Sequence, residues 1–142
     1  STPKPSSAAS DVYKRQLLAF LIFTFNNVSG QTKDMMIRIS EIEIDSNYLK
    51  EYNSILQEES RASVQLEAGV IAIYPLYQKE NPTQIRILEI YANREAYEAH
   101  LKTPHFQKYK TSTLKMVKSL KLVDMDNIDS TTMSEIFRKM HK

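Results

Sequence analysis

Val70-Ile71-Ala72-Ile73-Tyr74-Pro75-Leu76-Tyr77-Gln78-Lys79 and Gln84-Ile85-Arg86-Ile87-Leu88-Glu89-Ile90-Tyr91 are two apolar runs separated by Glu80-Asn81-Pro82-Thr83. Their β-branched and aromatic content, bounded by turn formers, predicts a hairpin with a four-residue connection. Pro75 cannot donate to a ladder, so the first run belongs at a sheet edge or a bulge. Upstream, Met36-Ile37-Arg38-Ile39-Ser40-Glu41-Ile42-Glu43-Ile44 alternates isoleucine with charge and reads as a strand. Asp45 or Ser46 then caps a helix running to about residue 66. Leu49, Tyr52, Ile55, Leu56, Ala62 and Leu66 recur at helical spacing and predict its buried stripe. Gly69 stands where a helix C-terminus takes a left-handed residue. Downstream, Asn93 caps a short helix over 94–102, and Thr103-Pro104 starts another with Thr as cap and Pro in the first turn. Phe106, Tyr109, Thr113, Met116, Val117 and Leu120 give that helix an inner face, and 120–126 reads as a last strand. The order β-α-β-β-α-β is the ferredoxin-like α+β arrangement, an antiparallel sheet with helices on one side.

One helical layer leaves the other sheet face bare. Yet the strands are apolar on both phases, with Ile71 and Ile73 opposing Val70, Ala72 and Tyr74. Both faces therefore need cover, and a second copy of the chain in a two-fold homodimer is the expected source. The 142 residues make one such domain with short flanks. A net charge of +2, from 19 basic and 17 acidic side chains, gives no electrostatic case for nucleic acid. Cysteine is absent, which excludes thiol chemistry, and the two glycines, Gly30 and Gly69, exclude phosphate-cradling loops. At the N-terminus, Lys14-Arg15 precede the apolar run Leu17-Leu18-Ala19-Phe20-Leu21-Ile22-Phe23-Thr24-Phe25, and Val28 and Gly30 follow at cleavage-site positions. This predicts a signal peptide over 1–30 cut before Gln31, a periplasmic or secreted protein, and no membrane association after cleavage. The chain does not begin with Met, and Ser10-Asp11-Val12-Tyr13-Lys14-Arg15-Gln16 resembles translated adapter sequence. A cytoplasmic location follows instead if the residues before Met35 are not native. The domain is expected over 31–126. An amphipathic helical tail over 127–142, with Met133, Ile136, Phe137 and Met140 on one face, is expected to dock on the domain or its partner.

Three side-chain sets carry candidate chemistry. His100 borders the stripe of the short helix, three residues after Tyr97, whereas His141 lies in the tail. His105 follows Pro104 at a helix start, where free N–H groups disfavour imidazolium. A neutral imidazole there could take a proton from a phenol while the backbone N–H groups of His105 and Phe106 hold the oxyanion. The plainer reading makes His100 a core-edge residue and His105 a helix-start residue. Two histidines five apart, with no third ligand in view, do not make a metal site. Among the tyrosines, Tyr48, Tyr52, Tyr74, Tyr77, Tyr91, Tyr97 and Tyr109 can line an aromatic pocket or simply fill the core. Glu89 is a lone charge in an apolar run, on the phase of Ile85, Ile87 and Tyr91. It is either a functional carboxylate or half of a salt bridge to Arg38 or Arg86.

The β-strand runs at 36–44, 69–75 and 88–91 are similar to the antibiotic biosynthesis monooxygenase family. The most specific stretch is Ala96-Tyr97-Glu98-Ala99-His100-Leu101-Lys102-Thr103-Pro104-His105-Phe106. It resembles the histidine–leucine–threonine–proline–histidine–phenylalanine segment of quinol-monooxygenase-like members. The resemblance covers about residues 35–126. It implies a dimeric α/β barrel that oxygenates electron-rich phenols or quinols with O₂ and uses no flavin, haem or metal. The implied partners are a second copy of the chain, a small aromatic or quinol-like substrate and O₂. His100 carries over as the pocket histidine, followed by His105 and Glu89, with Tyr74, Tyr91, Tyr97, Phe106 and Tyr109 expected to bind substrate. The haem-degrading branch looks for an Asn–Trp–His set. This chain has no Trp, and Tyr109-Lys110 stand where the ligand histidine is expected. An isomerase of a small keto compound, or a dimeric ligand-binding module without catalysis, remains an alternative on the same fold. Export departs from the cytoplasmic setting expected of a quinol monooxygenase.

Overall fold

Strand β1, Met36–Ile44, runs into Asp45, whose carboxylate accepts the Asn47 N–H at 2.9 Å and starts a 3₁₀ turn at Ser46–Tyr48. Helix α1 follows over Leu49–Leu66, so the expected cap holds and only the first turn is tighter. The structure, a computed structural model, describes residues 34–141. The apolar run and cleavage site expected near the N-terminus lie outside the described residues. The hairpin is β2, Val70–Tyr77, and β3, Gln84–Tyr91. Next come α2, Arg94–His100, and α3, Pro104–Thr113; a 3₁₀ turn at Leu114–Met116 then leads into β4, Val117–Met125, and α4 spans Ser130–Met140. Among the described residues no helix is long and apolar enough to cross a membrane.

The four strands form one antiparallel sheet in the order β2-β3-β1-β4, the ferredoxin-like α+β fold. Pro75 sits on β2, an edge strand, where its missing N–H costs no ladder bond. Helices α1, α2 and α3 cover one face. There Ser40, Ile42 and Ile44 of β1 stand beside Ile85 and Ile87 of β3, over Tyr52 and Leu56 of α1.

Four expectations are corrected by packing. The inner stripe of α1 is Tyr52, Leu56, Glu59, Ser60 and Ser63, while Leu66 is 74% exposed. Counting 3.6 residues per turn from Tyr52 and Leu56 lands on 59, 60 and 63, so the helix turns a polar strip inward in its second half. Gly69 does not adopt positive φ; Glu67 closes α1 in extended backbone instead. What Gly69 provides is room, because a Cβ there would stand 2.5 Å from the Ala96 Cβ. In β2, Val70 pairs with Tyr91 and Ala72 with Ile90, so a bulge at Ile71 turns both Val70 and Ile73 toward the helices. Finally β4 begins at Val117, paired with Ile44 across a second irregularity, so Val117 and Leu120 belong to the strand rather than to α3.

The face away from the helices carries two apolar rungs across all four strands: Met125–Ile37–Ile90–Ala72 and Val123–Ile39–Leu88–Tyr74. At the next rung outward it becomes charged with Lys121, Glu41 and Arg86. Helix α4 forms as expected under an Asp129 cap that accepts the Thr131 N–H at 3.0 Å. None of its residues is fully buried; Met133 is half-buried and Phe137 keeps 39% of its surface exposed.

Candidate active site

Between the sheet and helices α1–α3 lies a cavity of about 430 Å³. Its lining combines the apolar Ile42, Ile73, Ile87 and Leu56 with polar side chains from the sheet and from α1, α2 and α3, whose ends meet at His100. Local folding rules explain that meeting. Gly69 admits Ala96 at close range, and the Gly69 carbonyl accepts the Ala92 N–H at 2.8 Å, which seats α2 on the end of α1. Asn93 caps α2 by accepting the Ala96 N–H at 2.8 Å. The Thr103 hydroxyl donates to the His100 carbonyl at 2.8 Å and accepts the Phe106 N–H at 3.3 Å, joining the end of α2 to the start of α3. His100 and His105 are thereby brought to one side, with ring centroids 6.4 Å apart.

Both imidazoles converge on Glu67, at the end of α1. His100 Nδ1 lies 3.0 Å and His105 Nε2 2.5 Å from Glu67 Oε1. Burial opposes the charge on Glu67, but the hydrogen bonds from His100 and His105 outweigh it and hold its carboxyl below the ordinary range. An ionised Glu67 accepts only, so each histidine presents N–H to it. His100 Nε2 points away from Glu67 and lies 3.7 Å from Glu59 Oε1; in a neutral ring with its proton on Nδ1, Nε2 carries the lone pair. Glu59 is buried in α1, and burial pushes its carboxyl up against the lowering effects of the Ser63 hydrogen bond, 2.8 Å long, and of the two histidines. His100 itself is 2% exposed and packs against the Phe106 ring, centroids 4.7 Å apart.

A second polar group lies on the sheet. Glu89 accepts from the Ser40 hydroxyl and, at 2.9 Å, from Tyr91 OH. Neither arginine pairs with it: Arg38 binds Asp124 at 2.8 Å, and Arg86 turns to the Ile85 carbonyl. Burial and the nearby Glu89 charge raise the Tyr91 phenol above its ordinary range, so it stays a donor. Tyr109 is pushed up to about 12, chiefly by burial, and shares a hydrogen bond of 2.7 Å with Tyr52.

Of the residues singled out in the sequence, His100, Glu89, Tyr91, Tyr97, Phe106 and Tyr109 all line the cavity. Tyr74 does not. Strand alternation places it on the other face, opposite Leu88, and it is 61% exposed beside a separate open groove of about 860 Å³ along β2 and α1. His105 meets Glu67 instead of facing a substrate, and the Phe106 N–H is taken by Thr103, so it is not a free donor for an oxyanion. Glu59, Ser63 and Glu67 were not singled out. Their signal is an i, i+4, i+8 spacing that continues the stripe begun by Tyr52 and Leu56. Glu67 also supplies the third ligand that the two histidines lacked: one donor atom from each of Glu67, His100 and His105 lies within 4.8 Å of the others.

Residues 35–112 match the sequence model of antibiotic biosynthesis monooxygenases. The chain belongs to the antibiotic biosynthesis monooxygenase family. A crystal structure of a "putative antibiotic biosynthesis monooxygenase" from Bacteroides thetaiotaomicron is 46% identical, covers 69% of this chain and 93% of its own, and superposes with a TM-score of 0.68. A "putative monooxygenase" from Lactobacillus acidophilus is 28% identical over 64% of this chain and 43% of its own, with a TM-score of 0.63. A family structure from Nitrosomonas europaea, 18% identical over 68% of this chain and 92% of its own, has a TM-score of 0.64 and supports the fold alone. No curated protein gives a significant match.

Proposed function

We propose that this family member oxidises an electron-rich phenol or hydroquinone with O₂ in the cavity between sheet and helices, with His100 as the proton acceptor. The observation that carries the reading is the His100–Glu67 pair at the wall of an apolar cavity. Glu67 fixes the tautomer of His100 through Nδ1, and Nε2 is left to take a phenolic proton. Loss of that proton gives a phenolate rich enough in electrons to reduce O₂ itself. The overall reaction balances as hydroquinone plus O₂ giving hydroxyquinone plus water, one oxygen atom entering the ring and the other leaving as water. The imidazolium formed on His100 is stabilised by the ionised Glu67 behind it. Tyr91 and Tyr97 line the space and pack edge-to-face on each other, with centroids 5.3 Å apart, giving an aromatic wall for a planar substrate.

The test is oxygen uptake by the purified protein with a panel of hydroquinones and no added cofactor. Uptake is expected, and His100→Gln should reduce turnover by about 10²-fold. Absence of uptake across hydroquinones, phenols and enediols would overturn the reading in favour of a ligand-binding module.

A further inference from the structure

We propose that Glu67, His100 and His105 form a binding site for a divalent first-row transition cation such as zinc, and that the bound cation takes His100 out of service as a base. The first half rests on the side-chain cluster alone, while the second rests on the function proposed above. Two imidazole nitrogens and one carboxylate are a ligand set suited to zinc, iron, copper or nickel, and the nitrogens disfavour magnesium and calcium. The three side chains come from separate elements, α1's end, α2's end and α3's start, and converge with their donor atoms within 4.8 Å. Among the described residues no other cluster of this kind occurs. Zinc holds nitrogen and oxygen at about 2.0–2.2 Å, so the contacts of 3.0 and 2.5 Å to Glu67 must open by about 1 Å or less to admit it.

A fourth group supports the site. A ligating histidine normally donates its other ring N–H to a carboxylate, and His100 Nε2 has Glu59 Oε1 at 3.7 Å. Access exists as well: the His105 and Glu67 side chains retain 18% and 13% of their surface, so an ion can arrive without unfolding α3. The consequence for catalysis follows from the tautomer. Ligation through Nδ1 forces the remaining proton onto Nε2, which then presents N–H where the substrate's proton needs a lone pair. In the cation-free protein the Nδ1 proton points at Glu67 and Nε2 is the acceptor. One ring thus serves as base or as ligand, never both.

The experiment titrates the full chain, freed of metal by chelator dialysis, with Zn²⁺ in competition with a chromophoric chelator. A parallel titration uses Co²⁺, read by its visible absorption. One ion per chain is expected at micromolar affinity or tighter. Affinity should fall about 10-fold or more in His105→Ala and in Glu67→Gln, and about 10-fold in Glu59→Gln, each checked by circular dichroism for folding. His141→Ala should bind as the parent does. Failure of the parent protein to bind either ion overturns the site, whether or not the variants fold. So does binding that is unchanged in His105→Ala or lost in His141→Ala. Oxygen uptake on a hydroquinone, measured on the same samples, separates the two halves. Saturating Zn²⁺ should abolish it, and undiminished turnover with zinc bound would overturn the blocking role. Binding without any turnover in the metal-free protein removes the monooxygenase reading and leaves the site standing.

Discussion

His100 illustrates how a side chain is made useful by what lies behind it. Glu67 holds Nδ1, Phe106 and Tyr91 pack against the ring, and Nε2 lies 3.7 Å from Glu59 Oε1. Because the ring is buried, His100→Ala should also destabilise the fold, by about 2 kcal/mol, through the void and the donor lost to Glu67. A melting temperature that stays unchanged in His100→Ala would mean the ring is not packed as described. Glu67→Gln should lower kcat about 10-fold or more with KM little altered, since in the proposed reaction Glu67 acts through the histidine and not on the substrate. A rise in KM alone would place Glu67 in the substrate pocket instead. The two α1 carboxylates also act oppositely on stability. Glu67, whose folded carboxyl is lowered, adds stability that is present above the ordinary glutamate range and is lost as pH falls through its folded value. Glu59, whose carboxyl burial raises, removes stability as pH climbs above that ordinary range. Glu59→Gln keeps an acceptor for Ser63 without the charge, so it should raise the melting temperature at neutral pH and change it little near pH 4. A lower melting temperature at neutral pH would show that the charge of Glu59 is wanted. His100 and Phe106 were legible in the sequence because they flank the Thr103-Pro104 break. Glu59 and Glu67 were not, because a charged residue in a helix reads as solvated until its turn is counted from Tyr52.

At the scale of elements, the position of α2 depends on one missing methyl group. Gly69→Ala would place a Cβ 2.5 Å from the Ala96 Cβ, so α2 must move away from the end of α1, carrying His100 from Glu67. The expected cost is about 1–3 kcal/mol, with turnover falling alongside it. Ala96→Gly relieves the clash, so the double variant should recover much of the loss, as a double-mutant cycle on melting temperature will show. Additive losses would mean the two positions do not meet. The elements themselves were readable because caps and periods agree along most of the chain: Asp45, Asn93 and Thr103 all cap, and the hairpin falls where its turn residues place it. The misreadings fall where tertiary pairing overrides local pattern. Nothing in Val70-Ile71-Ala72 announces a bulge, and Val117 fits a helix stripe as well as a strand until β1 claims it. Gly69 reads as a conformational device in the sequence, whereas in the fold it provides space beside Ala96.

For the whole molecule, the sheet face away from the helices sets the remaining question. Its two apolar rungs run unbroken from Met125 to Ala72 and from Val123 to Tyr74 before charge appears at Lys121, Glu41 and Arg86. A continuous apolar patch with a charged border is the anatomy of an interface, and an isologous pairing lets one such face cover itself. The expectation is therefore a two-fold homodimer through this face. Leu88 lies on a central strand of the second rung, so Leu88→Glu puts a charge opposite its own symmetry-related neighbourhood, and its dimer should dissociate. Sedimentation of the parent protein at micromolar concentration should give twice the chain mass and Leu88→Glu the chain mass. His100 and Glu67 lie on the opposite side of the sheet, so the variant should keep the His100–Glu67 hydrogen bond, read by the imidazole proton resonances. A parent protein that sediments as a stable monomer would overturn the dimer, and the apolar rungs would then need another partner.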